Sequence, residues 1–260
     1  MRTTIPALFV IGLMVAWAVK VRQAESSPAP QMDNRASEQL AKMSDFLANT
    51  RNFQVDGQSS LDVVLESGQK VQYNASSKVD VSRPYLKSRR VGPFADVLFL
   101  YDGQQFVLYD RVRNIYAVTD APKDFDQALT DARERLDLQA PGADLLYTDV
   151  YEGLMEDVTS LQYLGIEALD GIRTHHLAAR KKEVDWQLWI EDGPTPFPRK
   201  YVITTTSLPQ APQFEVVLRN WNSSPTFAKG AFTFQAPEGA SRIQFLELPR
   251  ASEAGKGGQR

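Results

Sequence analysis

Residues 186–207 read WQLWIEDGPTPFPRKYVITTTS, two alternating stretches either side of a loop with prolines at 194, 196 and 198. Sustained alternation of apolar and polar residues marks a strand with one buried face. Extended back to Val184, the first stretch puts Val184, Trp186, Leu188 and Ile190 on one side and Asp185, Gln187, Trp189 and Glu191 on the other. The second runs from Arg199 to Thr206, with Tyr201, Ile203 and Thr205 opposite Val202, Thr204 and Thr206. Each proline fixes φ near −65°, so the loop has little freedom and Phe197 sits in it as a plug. Trp189 is the odd residue, because a large ring on a polar face must pack under another element or stay in water. The stretch predicts an antiparallel hairpin whose aromatics either fill the core or line an apolar ligand surface.

Working outward, the same period recurs. A long strand from Phe53 to Glu66 ends at Ser67-Gly68 and is followed by KVQYNASSKVDV. Arg83-Pro84-Tyr85-Leu86 opens the next strand, where proline is tolerated at the first position. VLFLYDGQQFVLY carries the hairpin signal Asp102-Gly103, and RNIYAVTD continues the antiparallel run. After a break, strands return at LQYLGIEAL, IRTHHLAAR, VDWQLWIE, RKYVITTT, FEVVLRNW and a short AFTFQAP.

Helical spacing appears in three places. In 35–50, Leu40, Met43 and Leu47 form one stripe with Phe46 beside it, and Asp33 or Asn34 is placed to cap the helix. In 121–138, Phe125, Ala128, Leu129, Ala132 and Leu136 share a face, with Pro122 close to the start. A further short helix is expected near 148–158. No strand is followed promptly by a crossover helix, which excludes a βαβ architecture. A long antiparallel sheet with so few helices curls, into a closed barrel or into an open half-barrel with helices across its mouth.

The N-terminus sets the compartment. Arg2 precedes an uncharged apolar run from Ile5 to Val19, shorter than the roughly 20 residues of a membrane span and of the length of a signal peptide core. Residues 1–24 are read as a signal peptide, or as an N-terminal inner-membrane anchor if uncleaved; both export the domain. Residues 25–32 read as a flexible linker, 33–248 as one domain and 249–260 as a disordered tail. The absence of cysteine excludes disulfides, a thiol nucleophile and a lipidated N-terminal cysteine. A net charge of −3 without a basic stripe argues against nucleic acid as a partner.

Little chemistry is encoded. His175 and His176 are the only histidines, and adjacent strand residues face opposite sides, so they do not share one metal. A hydrolytic role would require one of them within ~3.2 Å of a carboxylate or hydroxyl in a cleft. Asp102, Asp170 and Asp192 each precede glycine, which turns explain. Glu191 and Asp192 are neighbours on a hairpin, ill suited to the roughly 5 to 9 Å of a glycosidase pair. No GxSxG, GxGxxG or phosphate loop occurs. Lys78, Arg83, Lys87, Arg89 and Arg90 form one basic cluster, either a solvated sheet edge or a dock for lipid headgroups or an acidic partner.

The ordered set of RPYLK, YDGQQFVLY, NIYAV, the helical insertion, the histidine strand, WQLWIEDGPTPFPRKYVIT and FTFQAPEGA resembles a family of predicted periplasmic proteins. That family is similar in fold to the lipoprotein carrier LolA, its receptor LolB and the mycobacterial lipoprotein LppX. The resemblance implies a mainly β fold, a curved antiparallel half-barrel of about 10 or 11 strands closed by a helical lid over an apolar cavity. LolA holds its lid with an arginine on the sheet, but no position here matches closely enough to take that role. The expected cavity residues are Trp186, Leu188, Trp189, Phe197, Phe99, Tyr101 and Tyr116. The expected lid residues are Phe125, Leu129, Leu136, Leu145 and Leu146. The implied function is a non-enzymatic carrier of a lipid, a lipoprotein acyl chain or a similar apolar ligand. The alternative is a structural or interaction protein of the envelope with a filled core, and a hydrolase ranks third. A monomer is expected, with no cofactor or metal, a lipid or acylated protein as partner, a further envelope protein as another, and peripheral contact with the membrane.

Overall fold

The computed structural model describes residues 31–138 and 140–245. The expected segments 1–24 and 249–260, and most of the linker, lie outside the described residues. Among the described residues, twelve strands form one curved, open sheet. They are β1 (Asn52–Val64), β2 (Lys70–Ser82), β3 (Tyr85–Gly92), β4 (Ala95–Tyr101), β5 (Gln105–Asp110) and β6 (Ile115–Asp120), then β7 (Ser160–Leu169), β8 (Ile172–Arg180), β9 (Val184–Glu191), β10 (Pro198–Thr205), β11 (Gln213–Asn222) and β12 (Ser241–Ile243). The helices are α1 (Asn34–Asn49), α2 (Phe125–Glu134) and α3 (Val150–Met155), with a 3-10 turn at Ala143–Leu146.

The strand order is β12-β6-β5-β4-β3-β2-β1-β11-β10-β9-β8-β7. Two antiparallel meanders, β1 to β6 and β7 to β11, are joined by the pairing of β1 with β11. This pairing sends β6 and β7 to opposite sides of the sheet. The chain between them must cross the sheet's whole width, which is why 121–159 lies over one face.

The local chemistry agrees with these elements. The Asp33 side chain accepts from the Arg35 amide at 2.8 Å and caps α1. Ala36, Leu40, Met43 and Leu47 form the fully buried stripe of α1. Asp124 caps α2 in the same way, at the Gln127 amide. At the β7 edge, Leu161 bonds Gln31 and Asp33 through the backbone, so the residues before α1 cover the start of that edge.

Sequence and structure differ at the C-terminal end. AFTFQAP was expected to be a strand, but 231–237 is irregular and the strand is Ser241–Ile243, parallel to β6. The phenylalanines face tyrosines instead of a ladder: Phe232 packs on Tyr85, and Phe234 on Tyr109 and Tyr116. Side-chain burial against the outer face, not strand pairing, places this segment, and β12 raises the strand number to twelve.

Candidate functional site

The inner face carries two apolar clusters. The first gathers Leu145, Val150 and Leu154 of the crossing segment with the α1 stripe and with Leu177, Trp186, Leu188, Tyr201 and Val216 of the sheet. The second gathers Phe125, Ala128, Ala132 and Leu136 with Phe53, Val81, Leu86, Tyr101 and Phe106, and Phe99, Leu129, Leu138, Leu146 and Phe245 pack against it. Trp221 packs against both.

The crossing segment is a lid attached by side chains. Among the described residues, the backbone hydrogen bonds of 122–158 all close within the segment. Its ties to the rest of the molecule run through side chains. The Trp186 indole donates to Leu154 O at 3.2 Å, the Ser44 hydroxyl accepts from the Tyr151 amide at 2.9 Å, and Arg135 donates to Asp120 O at 2.8 Å. Gly142 in this segment has φ +88°, and a Cβ there would meet the Phe214 ring at 3.6 Å and Val216 at 3.7 Å.

Trp186, Leu188, Phe99 and Tyr101 therefore stand on the inner face with the lid residues Phe125, Leu129, Leu136, Leu145 and Leu146, divided between the two clusters. Phe197 lies between the helical layer and β11, edge-on to Phe46 at 5.0 Å and stacked on Trp221 at 4.7 Å. Trp189 and Tyr116 do not belong to this wall. Trp189 alternates with Trp186 and Leu188, so it faces outward, stacked on His176 at 4.0 Å with Lys200 over it at 5.0 Å. Tyr116 pairs with Tyr109 across β5 and β6, and both rings contact Phe234 on the outer face.

Two residues under the lid do not follow from the sequence pattern. Trp221 follows Asn220, whose φ of +54° marks a bulge where the β1–β11 register shifts. The extra residue turns Trp221 inward, where simple alternation would have left it outside. Arg83, assigned by sequence to a surface cluster, lies under the lid: Nη1 donates to Leu146 O at 3.0 Å, and the guanidinium carbon stands 5.0 Å from the Phe125 ring centre. Its Nε and Nη2 are buried and have no partner among the described residues. The rest of that cluster divides by alternation. Lys78, Lys87 and Arg89 line an open outer groove of about 590 Å³ with Asp56 and Asp80, whereas Arg90, next to Arg89 on β3, points to the other side by alternation.

Electrostatics mark the lid as well. Burial pushes the Asp144 carboxyl above its usual range, with the charges of Arg133 and Lys181 opposing. Burial also raises the Tyr201 phenol far above its ordinary value, and the Asp144 charge adds to this. Burial lowers the Arg83 guanidinium from its usual value, and Asp126 offsets part of the effect.

The histidines meet the distance test for chemistry. His175 Nδ1 is 2.8 Å from the Tyr163 hydroxyl and Nε2 is 3.2 Å from Asp192, while His176 contacts Glu167 and Gln187 on the opposite face. Neither ring lines the groove beside Lys78 and Lys87, or the one of about 590 Å³ that runs past Leu169, Ile172, Leu218 and Trp221.

Among curated proteins none matches the chain. Its fold is similar to that of LprF from Mycobacterium bovis, with 15% identity over 82% of this chain and 100% of that one, TM-score 0.49. It is also similar to the Mycobacterium tuberculosis lipoprotein LppX, with 13% identity over 75% and 99%, TM-score 0.39. A LolA superfamily protein, NE2245 from Nitrosomonas europaea, has 10% identity over 76% and 97%, TM-score 0.36. These likenesses concern the fold and say nothing of what is bound. No helix among the described residues is long and apolar enough to cross a membrane. A family model described as predicted periplasmic protein (DUF2092) matches residues 36–246, and the chain belongs to that periplasmic family.

Proposed function

We propose that this protein is a non-enzymatic periplasmic binding or carrier protein for a lipid, a lipoprotein acyl chain or a similar apolar ligand. The observation behind this reading is the lid: an apolar layer over an apolar sheet face, with no backbone hydrogen bond from 122–158 to the sheet among the described residues. Such a layer separates by exchanging side-chain contacts without breaking a ladder. An acyl chain entering between lid and sheet replaces those contacts at about 0.8 kcal/mol per buried methylene. Trp221, shared by both clusters and bordering an open groove, marks the entrance.

The test is native mass spectrometry of the protein isolated from periplasm without detergent, followed by solvent extraction and titration with a fluorescent fatty acid. A discrete added mass released as lipid, or saturable uptake of the probe, is expected. A clean protein mass together with no uptake would refute the reading. One observation favours a different reading: both clusters are already filled by the protein's own side chains, many with no exposed surface. That is the interior of an envelope interaction protein, and the negative result would select it.

A further inference from the structure

Arg83 has a buried donor edge that no protein group among the described residues pairs with. Elsewhere in this molecule arginines hold carboxylates through the pair Nε and Nη2. Arg89 reaches the two oxygens of Asp96 at 2.9 and 2.7 Å, and Arg180 those of Asp185 at 3.2 Å each. Arg199 uses the same pair on Glu191. At Arg83 that pair is buried and meets no acceptor among the described residues, while Nη1 is spent on Leu146 O. Asp126, the carboxylate whose charge reaches Arg83, is itself bonded by the amide and hydroxyl of Thr148. The rings of Phe53 and Phe125 flank the guanidinium at 6.0 and 5.0 Å. A planar fork of two N–H donors matches the paired oxygens of a carboxylate or phosphate, and the apolar second cluster begins at the same rings.

We infer that the Nε and Nη2 edge of Arg83 binds the acidic head of the ligand, so that the preferred cargo is an acyl chain ending in a carboxylate or phosphate. This rests on the carrier reading above and narrows it to anionic amphiphiles. The head docks at Arg83 beneath Leu146, and the chain lies along the second cluster.

The experiment is displacement of the neutral probe N-phenyl-1-naphthylamine from the full protein by oleate and by monoolein, which share one chain and differ in charge. Oleate is expected to displace the probe at a concentration roughly tenfold to a hundredfold lower, the value of a charge-assisted hydrogen-bond pair. Arg83→Gln should abolish that preference while leaving monoolein unchanged. If Arg83→Gln does not fold, Arg83→Lys carries the test, because it keeps the charge but lacks the fork and should retain only part of the preference. Equal displacement by the two lipids in the parent protein, or a preference that survives intact in either variant, overturns the inference and leaves the carrier reading standing. No binding of probe or lipid overturns both. Inorganic phosphate or acetate added at millimolar excess should leave oleate displacement unchanged; if either abolishes it, the site is one for free anions and the inference fails.

Discussion

Trp221 lies nearly parallel to Phe197, ring centres 4.7 Å apart at 16°, and its indole N–H donates to Pro198 O at 2.9 Å. The contact joins the proline-rich loop to Trp221, which alone among the described residues packs against both inner clusters, and Phe46 of α1 closes the far side of Phe197 at 5.0 Å. Removing this ring should destabilise the whole domain. Phe197→Ala is expected to cost about 3–5 kcal/mol, the range for a buried aromatic truncated to alanine. Equilibrium unfolding in urea, followed by tryptophan fluorescence, measures it; a loss below about 1 kcal/mol would show that the ring is a surface cover.

Trp186 and Trp189 are three residues apart on opposite faces, and they should behave differently. Trp186 is 2% exposed and bonds the lid at Leu154, so Trp186→Ala should lose about 3–5 kcal/mol and loosen the lid. Trp189→Ala should disturb only the outer set of His176, Glu167 and Lys200 and leave ligand uptake unaltered. Uptake of a fluorescent fatty acid by the two variants tells them apart, and a loss of uptake in Trp189→Ala alone would reverse the assignment of faces.

Gly142 is where backbone freedom matters for the lid. Its φ of +88° strains any side chain placed there, whereas a Cβ would make only ordinary contacts with Phe214, Val216 and Tyr201. Gly142→Ala should cost about 1–2 kcal/mol through the left-handed conformation, felt locally. Amide hydrogen exchange is expected to quicken in 122–158 and to stay unchanged in β1 and β2; uniform quickening would mean that the lid and sheet unfold as one unit.

Asp144 should make stability depend on pH in a defined direction. Its carboxyl is raised by burial, so between the ordinary and the elevated value the folded state binds more of that proton than the unfolded state does. Stability from this group is greatest below the ordinary carboxylate value of 3.8 and declines as pH rises through the elevated folded value. Asp144→Asn should therefore raise the melting temperature at pH 7, with the gain shrinking as pH falls toward 4. Thermal scans of both proteins at several pH values decide it, and a gain independent of pH would remove the buried carboxylate from the account.

The hairpin of Trp186 and Tyr201, the α1 stripe and the cap at Asp33 were all present in the sequence, and so was the placing of Trp189 opposite Trp186 on β9, although Trp189 was expected in the cavity and faces outward. Their periods and capping residues report burial one turn or one pleat at a time. The inner face was legible only in part: Phe99, Tyr101, Trp186 and Leu188 follow from alternation within their strands, but Tyr116 required knowing which face of β6 is covered.

The tertiary structure decided what local pattern does not carry. Pairing of β1 with β11 joins residues about 160 positions apart in the chain, Gln58 with Val217 among them, and it alone sends the 121–159 connection across the sheet to become a lid. The bulge at Asn220 turned Trp221 inward, because one extra residue reverses every side chain beyond it. Arg83 read as one more surface cation until the lid settled on it, since the burial of a charge depends on what packs over it and not on its neighbours in sequence.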